Sequence, residues 1–263
     1  MDYPFTLRQD RAWLNFKLKK MAYRKSRLTL VVASRWMKTL VEHSPLLGHF
    51  PIHHIPFGLD LNVFAPGDKA RAKAEFGLSA DRVVIGLRAL EGPYKGYEYS
   101  LAALKDMPDT LPIQILTCQT PGLFESLRGK FPVVDLGELH GDDAMAKFFN
   151  ASDLHLMPSM AESFGMMAME AAACGVPSVV FSGTPLEEVC FAPEGGIAVS
   201  RGNTRELTDA LIQLTYNSAR RKEMGQRARV LATGHYRFED YARSMLALYE
   251  ELLLSKGDRS HSN

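Results

Sequence analysis

Short β-branched runs alternate with stretches of helical periodicity through the middle of this chain. That alternation restricts the fold more than any single residue does. Extended segments are expected at 53–56, 83–87, 112–117, 133–136, 154–157, 178–181 and 197–199. Helical spacing lies between and after them, at 68–76, 97–105, 122–130, 142–150, 164–174, 186–190 and 204–216. Glycine and proline fall mostly between these elements, as at Gly77, Pro108, Gly141 and Pro177. Strand, helix, strand at this spacing predicts a parallel sheet covered on both faces. With right-handed crossovers, the fold class is α/β, a doubly wound, Rossmann-like parallel sheet. Ligands of such sheets bind beyond the carboxyl ends of the strands. The loops at 88–96, 137–141, 158–164 and 182–186 are therefore the places to look. A long helix is expected at 236–254, with Phe238, Tyr241, Met245, Leu248 and Leu252 roughly on one face.

Composition removes several classes. The hydrophobic content of 46% with a formal net charge of +1 excludes disorder as the main state. The longest apolar runs, such as 28–33, fall far short of the ~20 residues a membrane-crossing helix needs. Three cysteines, Cys118, Cys174 and Cys190, form no disulfide framework and no CxxC. The opening residues MDYPFTLRQD are polar and proline-broken, which is no secretory signal. A cytoplasmic location is expected. The flat charge hides one asymmetry: residues 11–27 hold seven Lys and Arg and no acid, leaving −6 on the rest. Leu14, Leu18, Met21 and Leu28 run through that segment at helical spacing. Such a helix can lie on an anionic membrane, at the inner face in this compartment. Alternatively its stripe packs on its own protein, the reading that a narrow stripe with only Trp13 and Phe16 as aromatic anchors favours. Nucleic-acid binding would rest on this helix alone, and the negative remainder argues against it.

Three stretches carry chemistry. The first is DLHLMPSMAESFGMMAMEAAACGVP, at 153–177. A buried strand runs into a Pro-Ser turn and a helix starts near Ser163, so that Ser163, Phe164 and Gly165 present first-turn N–H groups. A helix start at a strand's carboxyl end is an anion site, although the same residues also suit an ordinary βα turn with a capping serine and two surface acids. Glu162 and Glu170 stand eight apart. The second stretch is VVIGLRALEGPYKGYE, at 83–98. Its strand ends in Arg88 and its loop leads to Lys95, two cations that could clamp a diphosphate or could be solvated. It matches neither GxxxxGK[ST] nor GxGxxG. The third is IHHIPFGLDLNVFAP, at 52–66. Its neighbouring His53 and His54 would face opposite ways on a strand, which makes a metal pair a poor reading.

Taken in order, IPFGLDLNVFAP, GLRALEGPYKG, ASDLHLMPSMAESFGMMAMEAAACGVPSVV and SGTPLEEV resemble the donor-binding half of glycosyltransferase family 4. These are retaining, GT-B sugar-nucleotide transferases, and the resemblance covers roughly residues 28–254. It implies transfer of a hexose from a nucleotide-diphosphate sugar to a glycan or lipid-linked acceptor, a polysaccharide-biosynthesis type of reaction. It further implies that Arg88 and Lys95 neutralise the diphosphate and that Glu162 sits against the donor hexose, with the backbone of Ser163, Phe164 and Gly165 assisting. Met166 and Met167 would offer amides to the phosphates, and Glu170 would accept from the ribose hydroxyls. The reaction is expected to need no metal or other cofactor, because cations and amide dipoles stabilise the leaving diphosphate. The catalytic set would be Glu162, Arg88 and Lys95. Base selection is expected at 137–140.

The chain departs from the family pattern in three places. Gly86-Leu87-Arg88 is one residue longer than the usual Gly-Arg, and Gly183-Thr184 replaces Gly-Gly. Only about fifty residues precede Ile52, where the family carries a whole acceptor-binding domain. The expected organisation is a remnant of that domain at 1–50, the donor-binding domain at 51–235, a crossing helix at 236–256 and a disordered tail at 257–263. A fragment, one subunit of a split enzyme completed by a partner chain, and a non-catalytic nucleotide-sugar-binding module are all compatible with this. A fragment is favoured, because Val31, Val32, Trp36 and Leu40 call for more core than the chain supplies. A nucleotide-sugar epimerase is the weaker alternative, since no cluster of acids and histidines marks it.

Overall fold

The computed structural model describes residues 11–92 and 94–260, with side chains described as far as Ser255. The opening decapeptide, on which the signal reading rests, Pro93 of the 88–96 loop, and residues 261–263 lie outside the described residues.

Six strands form one parallel sheet: β3 (Val83–Ala89), β4 (Ile113–Gln119), β5 (Val133–Asp135), β6 (Leu154–Met157), β7 (Ser178–Phe181) and β8 (Gly196–Val199). Their spatial order is β5-β4-β3-β6-β7-β8. The order reverses between β3 and β6, as expected of a doubly wound sheet. The strands are apolar on both faces because helices cover both. On one face, α4 (Tyr97–Asp106) and α8 (Thr204–Tyr216) bury Leu104, Met107, Leu207 and Leu211 against Ile85, Leu87 and Ile115. On the other lie α3 (Lys69–Glu75), α5 (Asp142–Ala151), α6 (Met166–Ala173), α7 (Pro185–Val189) and α9 (Ser218–His235). Phe148, Phe149, Met169 and Ala228 fill that core.

Four elements differ from expectation. The strand β2 (Ile52–His54) does not join the large sheet. It pairs in parallel with β1 (Leu30–Val32) in a separate two-stranded sheet, so a boundary at 50–51 would cut through a hydrogen-bonded unit. The segment at 122–130 is not an α-helix but turns around a short 3-10 stretch, Glu125–Leu127. Leu123, Phe124 and Leu127 do point inward, which produced the helical spacing, and a single 3-10 turn already brings them there. Helix α9 is an element the apolar spacing does not announce. Finally, α10 (Phe238–Ser260) continues past 256, so the tail expected to fray from 257 is helical as far as it is described.

The N-terminal part holds α1 (Ala12–Arg24) and α2 (Arg35–Glu42). Helix α1 buries none of its residues: Trp13 is 68% exposed, Met21 60% and Leu18 51%. The expectation that its stripe packs on its own protein therefore fails among the described residues. Helix α2, by contrast, is docked. Ser34 caps it by accepting from the Met37 amide, and Glu188 of α7 accepts from the amides of Arg35 (2.9 Å) and Trp36 (3.3 Å). The Trp36 indole donates to the Gly183 carbonyl at 3.0 Å. An acid at a helix start meets both free amides and the positive end of the helix dipole. No helix among the described residues is long and apolar enough to cross a membrane.

Candidate functional site

The reversal of strand order leaves a crevice beyond the carboxyl ends of β3 and β6, and the loops after these two strands line it. The glycines make their close approach possible. Gly96, the residue before α4, has φ 75°, and a Cβ there would run into the Pro158 carbonyl oxygen. The Met160 amide donates to the Tyr94 carbonyl at 2.7 Å, and Arg201 donates to the Met160 carbonyl at 2.6 Å, so three loops are laced together.

Arg88 is the exposed residue near the end of an otherwise buried strand. Its Nη2 donates to Gln119 Oε1 at 3.1 Å. Gln119 closes β4 with φ 95°, a region that non-glycine residues rarely occupy. Its amide donates to the Gly137 carbonyl at 2.7 Å, which brings the 137–140 loop to the same edge. Gln119 is thus a site residue missed by the sequence reading; no motif marks it, and only the pairing of β3 with β4 puts it beside Arg88.

Lys95 Nζ lies 2.7 Å from Glu162 Oε1, and the Glu162 side chain is only 11% exposed. The two residues were expected to meet different parts of a ligand. Here they hold each other, in a narrow pocket also lined by Arg88, Ser159 and Met167.

Helix α6 starts later than expected. Gly165, not Ser163, is its N-cap, with φ 109° and no side-chain cap. Its lack of a Cβ matters, because one would collide with the Leu186 side chain. The free amides at the start are therefore those of Met166 and Met167 rather than Ser163 and Phe164. Ser163 instead accepts from Ser34 Oγ through its carbonyl at 3.3 Å. Phe164 is buried, edge-on to Phe57 with centroids 5.1 Å apart. That contact pins the loop and leaves its backbone at the crevice wall.

Glu170 sits one turn into α6. Burial pushes its carboxyl up to about 7, the Asp142 charge adds to this, and Arg88 offsets part of it. A carboxyl displaced by burial and by named charged neighbours in a cleft is a candidate ligand group. Nearby, His155 is fully buried and pushed down to about 3 by desolvation; its Nδ1 meets Ser178 Oγ at 3.0 Å, so it reads as a packed core residue. All three cysteines are buried free thiols, pushed up to about 11 or 12 by burial, and are likewise inert. His53 and His54 form no metal pair: His54 Nε2 lies 4.0 Å from Glu188 Oε1. Among the described residues, no three His, Cys, Asp or Glu side chains converge as metal ligands.

Comparisons with known proteins bear on the family and the fold. Residues 133–231 match the family described as glycosyl transferases group 1. A D-inositol 3-phosphate glycosyltransferase from Mycobacteroides abscessus is 32% identical over 201 residues, which is 73% of this chain and 44% of that protein. The chain thus spans a little under half the length of this relative. Among solved structures, sucrose-phosphate synthase from Thermosynechococcus elongatus superposes with a TM-score of 0.80 at 22% identity, over 95% of this chain and 65% of that one. HepE from Anabaena, solved in complex with UDP and glucose, gives 0.75 at 17% identity, over 90% of this chain and 67% of that one. At these identities the structural likeness speaks for the fold, a GT-B type α/β domain.

Proposed function

From a chain that carries a region of the glycosyl transferases group 1 domain, we propose a donor-binding half of a retaining family 4 transferase. It would move a hexose from a nucleotide-diphosphate sugar to a glycan or lipid-linked acceptor. One observation carries the reading: Arg88, Lys95, Glu162 and the open start of α6 converge at the point where the strand order reverses.

In this reading Arg88, held in place by Gln119, and Lys95 take the diphosphate, with the Met166 and Met167 amides. Donor binding would draw Lys95 away from Glu162 and free that carboxylate for the hexose hydroxyls. The Ser163–Gly165 backbone would line the sugar site, Glu170 would accept from the ribose diol, and the 137–140 loop would meet the base. As the bond from the sugar's C1 to the phosphate oxygen breaks, its electron pair stays on the diphosphate. Fixed cations and amide dipoles stabilise that charge, and no metal is needed. The acceptor hydroxyl would bond to C1 on the same face and pass its proton to the leaving phosphate oxygen. The rest of the acceptor site would come from sequence beyond this chain or from a partner chain. The exposed basic helix α1 suits a peripheral contact with an anionic membrane, and the protein would work on the cytoplasmic side. A non-catalytic nucleotide-sugar-binding module is the second reading. It is favoured by the Lys95–Glu162 ion pair, whose two groups are already engaged with each other.

The test is binding of UDP, GDP, ADP and their sugar conjugates by thermal shift and calorimetry. One base is expected to stabilise the chain. Arg88→Ala should weaken that binding by about 1.5–3 kcal/mol, roughly 10- to 150-fold, without lowering the melting temperature of the free chain. Failure of every nucleotide to bind a cooperatively folded chain would sink the donor assignment.

A further inference from the structure

At the opposite end of the sheet, where the chain enters the strands, a cavity of about 540 Å³ opens between the segment after Pro66, the start of β6, the turn from α6 to β7, and α9. Its size is that of a small-molecule site. Its charge is one-sided. Lys69, Arg221, Lys222 and Arg229 line it, against a single acid, Asp153. That acid is already spent: its two oxygens meet Lys69 at 2.9 Å and Lys73 at 2.7 Å, and the Val84 amide donates to it as well.

The arginines are fixed charges rather than swinging side chains. Arg229 donates to the carbonyls of Phe64 (2.7 Å) and Ala173 (2.8 Å), and Arg221 to those of Leu214 and Thr215. Each is tied to a helix end or a turn, so its position is set before any ligand arrives. Lys69 keeps one of its three ammonium protons after serving Asp153 and the Ser152 carbonyl. Burial pushes the Lys69 ammonium down from its usual value, with Lys73 and Arg221 adding to the effect, so an incoming negative charge would relieve it. The walls between the cations are apolar, with Pro66, Val176, Pro177 and Val230. A purely hydrated ion has no use for such walls.

We propose that this cavity binds a small organic anion, its phosphate or carboxylate held by the cations and its compact apolar body lying between the prolines and valines. The site is separate from the crevice at the carboxyl ends of the strands, whatever binds there.

The experiment is calorimetric titration of the full chain with phenyl phosphate, benzoate and inorganic phosphate. Phenyl phosphate or benzoate is expected to bind, and inorganic phosphate to bind more weakly than either. The two organic probes separate a phosphate from a carboxylate ligand. Lys222→Glu, at an exposed position, and Val230→Trp, which narrows the mouth without touching charge, should each weaken binding roughly tenfold or more. Both variants should keep the wild-type melting temperature. Arg88→Ala should bind the probes as the wild type does. Loss of binding in Arg88→Ala, wild-type binding by both cavity variants, or no binding of either organic probe would overturn the proposal.

Discussion

Glu170 is a residue of the candidate site whose chemistry burial changes. Its carboxyl titrates near 7 because burial and the Asp142 charge outweigh the help of Arg88. A carboxyl raised in the folded state binds its proton more tightly there than in the unfolded chain. Stability therefore falls as pH rises from about 4.5 through about 7. Glu170→Gln removes that penalty, so the variant should gain on the order of 1–3 kcal/mol over wild type at about pH 8 and little at about pH 4. Urea midpoints at the two pH values measure this. If the ionised carboxylate grips a ribose diol, nucleotide affinity should rise between about pH 6 and pH 8 in wild type and stay flat in Glu170→Gln. Parallel pH profiles would remove the ribose role. Arg88, Lys95, Glu162 and Glu170 could be picked from the sequence because a family motif marks each. Gln119 and Asp142 could not, since they enter the site only through strand pairing and helix placement. The Lys95–Glu162 pair was equally hidden: its members are 67 residues apart, and only the adjacency of β3 and β6 joins them.

Among the elements, α6 shows how a turn makes a helix start available. Gly165 takes φ 109° and nestles against Leu186 where any side chain would collide. Gly165→Ala should cost about 1–3 kcal/mol in stability, and nucleotide binding should fall with it because the Met166 and Met167 amides shift. Equal melting temperatures for variant and wild type would contradict this account. The strands β3, β6 and β7 were legible because buried parallel strands are unbroken apolar runs. Helix α9 was not. Its buried face is Met224, Gly225, Ala228 and Ala232, the last three small, set among arginines and lysines. Small side chains let it pack closely on α6 but leave no hydrophobic stripe to read. Strand β2 was visible as a strand, yet nothing in its sequence says which sheet it joins.

At the scale of the whole molecule, the most exposed helix of the N-terminal part is α1. The seven cations of residues 11–27 accompany apolar side chains, Trp13, Leu14, Leu18 and Met21, that stay exposed. If these side chains meet lipid, the chain should float with vesicles containing anionic lipid and not with neutral ones, and replacing Lys19 and Lys20 with glutamate should reduce the floated fraction. About 1 kcal/mol per cation near the surface makes the loss measurable. Flotation independent of anionic lipid would end this reading. Two distant passages of the backbone also meet. The Leu59 amide donates to the Tyr236 carbonyl at 2.9 Å, and Leu59 pairs with Arg237 as an isolated bridge. The chain leaving β2 and the chain entering α10 are therefore clasped side by side. Two passages far apart in the sequence are tied at one point, so neither can fray without loosening the other.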